Sequence, residues 1–206
     1  MATRKVGRQR LLVLLVVVAA VLLAPGAASA SDKEGNYFVR GFGSQSCERY
    51  LEERKAESPA YLFFREWANG YVTAYSQFGA ETYDAAADFD LEAISGLLQV
   101  FCNGNKKANF ATAVYAVTRE LHKYRIVSKS PVANIDAGKN KIQVFEETVK
   151  RVQQTLKQQG IYKGEVDGKF GKSTAAAISA YQKRKKLPET GVPDRRTLLA
   201  IYQEWK

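Results

Sequence analysis

The sequence predicts an all-α fold, in which a small disulfide-linked helical domain is followed by a three-helix domain. Three observations predict it. Apolar residues recur at helical spacing over Pro59–Phe78, Asp90–Cys102 and Phe110–Tyr124. The only two cysteines are Cys47, ahead of these stretches, and Cys102, at the end of the second. Glycines and prolines then cut residues 145–206 into three shorter helical periods.

The first 30 residues stand apart. Arg4, Lys5, Arg8 and Arg10 precede an unbroken apolar run of 13 residues, Leu11–Leu23. Pro25 and Gly26 break the run, and Ala28-Ser29-Ala30 is a small-x-small cleavage site, so residues 1–30 read as a secretory signal peptide. A spanning helix needs about 20 apolar residues, so no stable membrane span is expected after cleavage. The mature chain from Ser31 is expected in the periplasm, where a disulfide is permissible.

In the first domain, residues 31–126, the expected apolar stripes are Phe64, Trp67, Tyr71, Ala74, Tyr75 and Phe78, then Leu91, Ile94, Leu98, Phe101 and Cys102, then Phe110, Val114, Val117, Leu121 and Tyr124. Asp90 is a candidate N-cap. One pair of cysteines allows one connectivity. A Cys47–Cys102 bond would add roughly 4 kcal/mol by the loop-entropy argument. Residues 127–144 contain Pro131, Asn134, Gly138 and Asn140 without a sustained period and read as a linker.

The third segment, 145–206, opens with Val149, Val152 and Leu156 on one stripe, ended by Gly160. Gly160, Gly164, Gly168 and Gly171 then indicate a turn-built loop whose backbone visits positive φ. Ser173 is the expected cap of a second helix carrying Ala177, Ile178 and Tyr181. Pro193-Asp194 opens a third, with Leu198, Ile201, Tyr202 and Trp205 on one stripe. No internal repeat is visible.

Charge is uneven. The chain carries a net +10. Residues 131–206 hold 15 basic and 8 acidic side chains, against 12 and 13 in residues 31–130. The run Lys183-Arg184-Lys185-Lys186 suits an anionic polymer, or is a solvated helix end. Export argues against nucleic acid as that polymer. One His and two Cys exclude zinc fingers, His-rich zinc hydrolase sites and iron–sulfur clusters. No metal or cofactor is expected.

Two resemblances add to this. Val152-Gln153, Leu156, Gly160, Tyr162, Gly164, Val166-Asp167-Gly168, Phe170-Gly171, Thr174, Ala177, Tyr181-Gln182, Leu187, Gly191, Asp194 and Thr197-Leu198 resemble the peptidoglycan-binding domain found beside many cell-wall hydrolases. The resemblance implies a three-helix wall-binding module, peptidoglycan as partner and association with the cell wall. Tyr162, Asp167, Gly168, Phe170 and Gln182 are its candidate binding residues. Tyr162 and Gln182 are expected to be exposed, and Asp167 and Gly168 to shape the loop. Cys47-Glu48-Arg49-Tyr50-Leu51, with Phe101-Cys102-Asn103-Gly104-Asn105 and Phe110, resembles the HdeA-like periplasmic acid-stress chaperones; helical type VI secretion immunity proteins share the outline. That resemblance implies a disulfide-linked helical domain facing an unfolded or partner periplasmic protein.

No catalytic residue is assigned. One His cannot build the metal site of a wall amidase, paired cysteines leave no thiol nucleophile, and no glycosidase signature accompanies the acids of the first domain. The sequence reads as a non-catalytic wall-binding protein. A wall-tethered acid-stress chaperone is the alternative, and a divergent wall hydrolase a further one.

Overall fold

The computed structural model describes residues 31–137 and 140–204. The signal peptide expected over 1–30, Gly138 and Trp205 lie outside the described residues. Residues up to Phe38 make one unit and Val39–Lys206 another. In the first, the Asp32 carboxylate accepts the backbone N–H groups of Glu34 and Asn36 and closes a tight turn. The architecture that follows belongs to the second. Among the described residues, no helix is long and apolar enough to cross a membrane.

Four helices come first: α1 Cys47–Lys55, α2 Pro59–Phe78, α3 Leu91–Gly104 and α4 Phe110–Leu121. Each starts where a short polar side chain accepts a first-turn N–H. Ser46 takes that of Arg49, Ser58 that of Tyr61, Asp90 that of Ala93 and Asn109 that of Thr112. Such caps contribute about 1 kcal/mol each. Cys47 on α1 and Cys102 on α3 form the expected disulfide, with Cα atoms 5.0 Å apart and both residues fully buried.

The core of this half is aromatic. Tyr50, Phe64 and Phe110 meet with ring centroids 4.8–5.5 Å apart. Tyr50 has no exposed surface, and its hydroxyl donates to the Ser95 carbonyl at 2.8 Å. Burial raises its phenol pKa above the ordinary range. On α2 the buried stripe is Phe64, Ala68 and Val72, while Trp67, Tyr71 and Tyr75 flank it half-buried. Ala74 is exposed and Phe78 stands 80% exposed at the helix end, so the stripe is rotated from the one expected.

The segment read as a linker is folded. Val132–Ala137 and Asn140–Phe145 pair antiparallel as β1 and β2, with Ala133 opposite Val144 and Ile135 opposite Ile142. Period-2 alternation explains it. Ala133, Ile135, Ile142 and Val144 face inward and pack with Val149, Val192 and Phe170. Outward, Gln143 donates to Asn134 at 2.7 Å and Lys141 pairs with Asp136 at 3.1 Å. The fold is therefore mostly α with a two-stranded sheet, rather than all-α.

Three helices close the chain: α5 Glu146–Gln158, α6 Lys172–Arg184 and α7 Arg195–Glu204. Gly171, not Ser173, occupies the N-cap of α6. Asp194 accepts the Thr197 N–H at 3.0 Å and opens α7 as expected. At the opposite end, Glu204 binds all three helices together. It accepts from Tyr181 Oη (2.9 Å) and Gln159 Nε2 (2.8 Å) and pairs with Lys185.

The two helical groups share one apolar core. Tyr202 of α7 stacks on Tyr124 at 4.7 Å and leans on Phe89 at 5.4 Å. Burial pushes its phenol up to about 12. Polar contacts surround this seam. Arg195 forks onto the Asp90 carboxylate at 2.6 and 3.1 Å. Arg151 reaches the Tyr124 carbonyl, and that of Arg125 at 2.9 Å. Asp88, held with φ +66° beside Ala87 at +50°, accepts from the Phe145 N–H (3.1 Å) and the Thr148 hydroxyl at the start of α5.

Candidate functional site

Two buried glutamines organise the last 60 residues. Gln153 of α5 has no exposed surface. Its Oε1 accepts the N–H groups of Asp167 (3.0 Å) and Gly168 (2.9 Å). Its Nε2 donates to Asp167 Oδ1 and to the Lys169 carbonyl, both at 3.0 Å. Gln182 of α6 repeats the device one loop later. Its Oε1 accepts the Gly191 N–H at 2.9 Å, and its Nε2 donates to Thr190 Oγ1 (2.8 Å), the Val192 carbonyl (3.0 Å) and Thr197 Oγ1 (2.8 Å). An amide side chain suits this work because it offers both donors and acceptors to a turn whose backbone groups are cut off from water. The two helix–loop units are thus related by structure, although the sequence shows no repeat.

The first pinned loop is tight. Gly168 has φ +77°, and a Cβ there would lie 2.8 Å from the Glu146 carbonyl oxygen, so no side chain fits. Gly160 is also left-handed, whereas Gly171 is extended with φ −141°. Gly164 is required by contact instead: a Cβ would come within 2.5 Å of the Tyr162 hydroxyl. The Asp167 carboxylate receives the Lys169 N–H at 2.9 Å, which, with Gln153, holds its pKa below the usual carboxylate range.

Beside this loop opens a cleft of ≈420 Å³. One wall is the irregular segment Val127–Pro131, which joins the helical half to the hairpin. The other is the Asp167-Gly168 turn, and the first turns of α5 form the floor. Two bonds lay the segment across the helix start. The Glu146 N–H donates to the Pro131 carbonyl (2.9 Å) and the Glu147 N–H to Ser130 Oγ (3.1 Å). Arg151, its side chain 8% exposed, is fixed by Glu147 (3.3 Å) and by the Tyr124 and Arg125 carbonyls.

Of the five residues expected to bind, the structure brings Asp167 and Gly168 to this cleft. The expectation that Tyr162 and Gln182 are exposed is corrected. Tyr162 is 5% exposed with its hydroxyl donating to the Glu165 carbonyl, and Gln182 is fully buried. Their polar atoms are spent on holding loops. Phe170 is half-buried against the hairpin. The basic run is partly consumed as well: Lys185 pairs with Glu204, and Arg184 donates to Gln159 at 2.9 Å. Sequence reasoning missed Lys129, Glu146, Lys150 and Arg151. The one signal for Arg151 is its place between Val149 and Val152, on a helix buried over most of its girth.

These residues make a three-helix module with two glutamine-pinned loops and a charged cleft at the first loop. Residues 146–201 match the family described as "Putative peptidoglycan binding domain". A stretch of 46 residues, 22% of this chain, is 44% identical to a Nostoc punctiforme protein described as "Putative OxPP cycle protein OpcA". That match spans 10% of the relative's length. No solved structure matches the chain.

Proposed function

We propose that this chain is an exported, non-catalytic protein that binds peptidoglycan through residues 145–206 and holds its disulfide-linked helical half at the cell wall. The family match over residues 146–201 carries the reading. The geometry supports it, since Asp167 and Gly168, which carry the resemblance, line an open, charged cleft and are pinned there by Gln153. The charged start, apolar run and small-residue cleavage site of residues 1–30 support export to the periplasm.

The test is co-sedimentation of the oxidised chain, residues 31–206, with purified sacculi, with soluble muropeptides assayed in the supernatant. Pelleting without release is the expected result. Protein left in the supernatant overturns the binding role, and release of muropeptides overturns the non-catalytic one. Native protein should begin at Ser31 by mass spectrometry, and an intact Met1 end refutes export by cleavage.

A further inference from the structure

The cleft between Val127–Pro131 and the Asp167-Gly168 turn has a lining that discriminates between the two chemistries of the wall. Among the described residues, no aromatic side chain lines it. Sugar rings are usually held by an aromatic platform against their apolar face, and this cleft lacks one. It holds charge of both signs instead. Lys129 and Lys150 are exposed and Glu146 is half-buried. Among the described residues, none of these three side chains makes an ion pair or a hydrogen bond.

Their neighbours are already engaged. Glu147 is paired with Arg151, and Asp167 accepts the Lys169 N–H and Gln153 Nε2. Both bonds to Asp167 fall on its Oδ1, so two lysines, Glu146 and the second Asp167 oxygen remain for a ligand. The connecting segment supplies Lys129, and the module supplies Lys150 and Glu146.

Resting on the wall-binding reading above, we propose that this cleft recognises the peptide stems of the wall rather than its sugar strand. It takes a short zwitterionic peptide whose carboxylates face Lys129 and Lys150 and whose free ammonium faces Glu146. Charges of both signs lining a small cleft favour a ligand that carries both signs and penalise neutral ones, which leave the site's charges unpaired. Exposed pairs are individually weak, so recognition depends on several acting together and weakens as salt screens them. The module is incomplete without residues 127–131. The segment that joins the helical half to the module is thus part of the recognition surface and not only a connector.

The experiment is an NMR titration of the oxidised chain, residues 31–206, with a soluble stem tetrapeptide bearing a free amine and free carboxylates. A parallel titration uses peptide-free glycan oligosaccharide. Expected are saturable shifts at residues 127–131 and 146–151 with the peptide, none there with the glycan, and an affinity that falls between 20 and 300 mM salt. Lys129→Glu with Lys150→Glu should weaken the peptide about tenfold or more, and Glu146→Gln several-fold. Lys107→Glu, an exposed change outside the cleft, should leave it within twofold. Thermal melts of the cleft variants should stay within a few degrees of the wild type, since only weak first-turn and i,i+4 helix electrostatics are altered. If the chain pellets with sacculi while the peptide leaves the cleft unmoved, or the glycan moves it instead, this proposal is overturned and wall binding stands. Failure to pellet at all overturns both.

Discussion

Asp88→Asn isolates one charge at the seam between the helical half and the module. Burial is the main influence on the Asp88 carboxyl, which it drives up to about 6 from an ordinary 3.8. The bonds from Thr148 and Phe145 and the charge of Arg151 pull it back, and Asp84 adds repulsion. A folded-state pKa above the unfolded one means that the folded chain binds the proton more tightly. Stability should therefore rise as pH falls through 6 and level off below 3.8. At 1.36 kcal/mol per unit, the gap sets a ceiling of about 3 kcal/mol. For a chain of this size that corresponds to a melting shift of about 6–12 °C.

Asparagine removes the charge, keeps an oxygen for the Phe145 N–H and tolerates the left-handed backbone at this position. Thermal melts at pH 5, 6 and 7.5 should show the wild type gaining stability toward pH 5. The variant should be at least as stable as the wild type at pH 7.5, with that gain abolished. His122 has the opposite sign. Burial and then Arg125 hold its imidazole below its ordinary value, so acidification through 6.5 works against the fold. With Asp88 neutralised, this smaller reverse slope should emerge. An Asp88→Asn protein that keeps the wild-type gain toward pH 5 refutes the assignment.

Other perturbations separate the large contributions from the small. Cys47→Ser opens a loop closed over a sequence separation of 55 residues and should cost roughly 4 kcal/mol, read as the loss of melting temperature that reductant produces in the wild type. Gln182→Leu strands the Gly191 N–H and removes the donor to Thr190, Val192 and Thr197. At about 1–3 kcal/mol per stranded group, it should cost upwards of 3 kcal/mol in a urea titration. Arg195→Ala breaks a short fork to Asp90, yet the side chains are 43% and 58% exposed, so it should cost under about 1 kcal/mol by the same assay. Below pH 4, stability should fall as Asp90 and Glu204 protonate. Burial raises both, but Arg195 at Asp90, and Lys185 and Tyr181 at Glu204, more than offset it and leave their pKa values depressed.

What was legible in the sequence follows from what is local. Pro59–Phe78 carries its own cap, its proline start and a helical period, and the observed helix has the same ends. Asp90 announces α3 in the same way, and two cysteines have one way to pair. The hairpin was hidden because each strand offers only six residues, and its polar outer face resembles a loop. Tyr162 and Gln182 look like surface residues by type, and only the turns that fold over them reveal that they are internal. Asp88 meets its partners 57 and 60 residues further on, across a join with no local signature. The cleft, built from the connecting segment and the module together, could not be read from either one.

The stacked rings of Phe89, Tyr124 and Tyr202 carry a consequence for modularity. A wall-binding domain joined by a slack tether can be exchanged for another, and its cargo swings freely. Here the last helix of the module is also a wall of the cargo's own interior. Excising either part would leave a hole lined with aromatic surface in the other. On the wall-binding role proposed above, the helical half would keep one bearing relative to whatever the module grips. Its reach is that of a bracket, set by the fold rather than by the length of a leash.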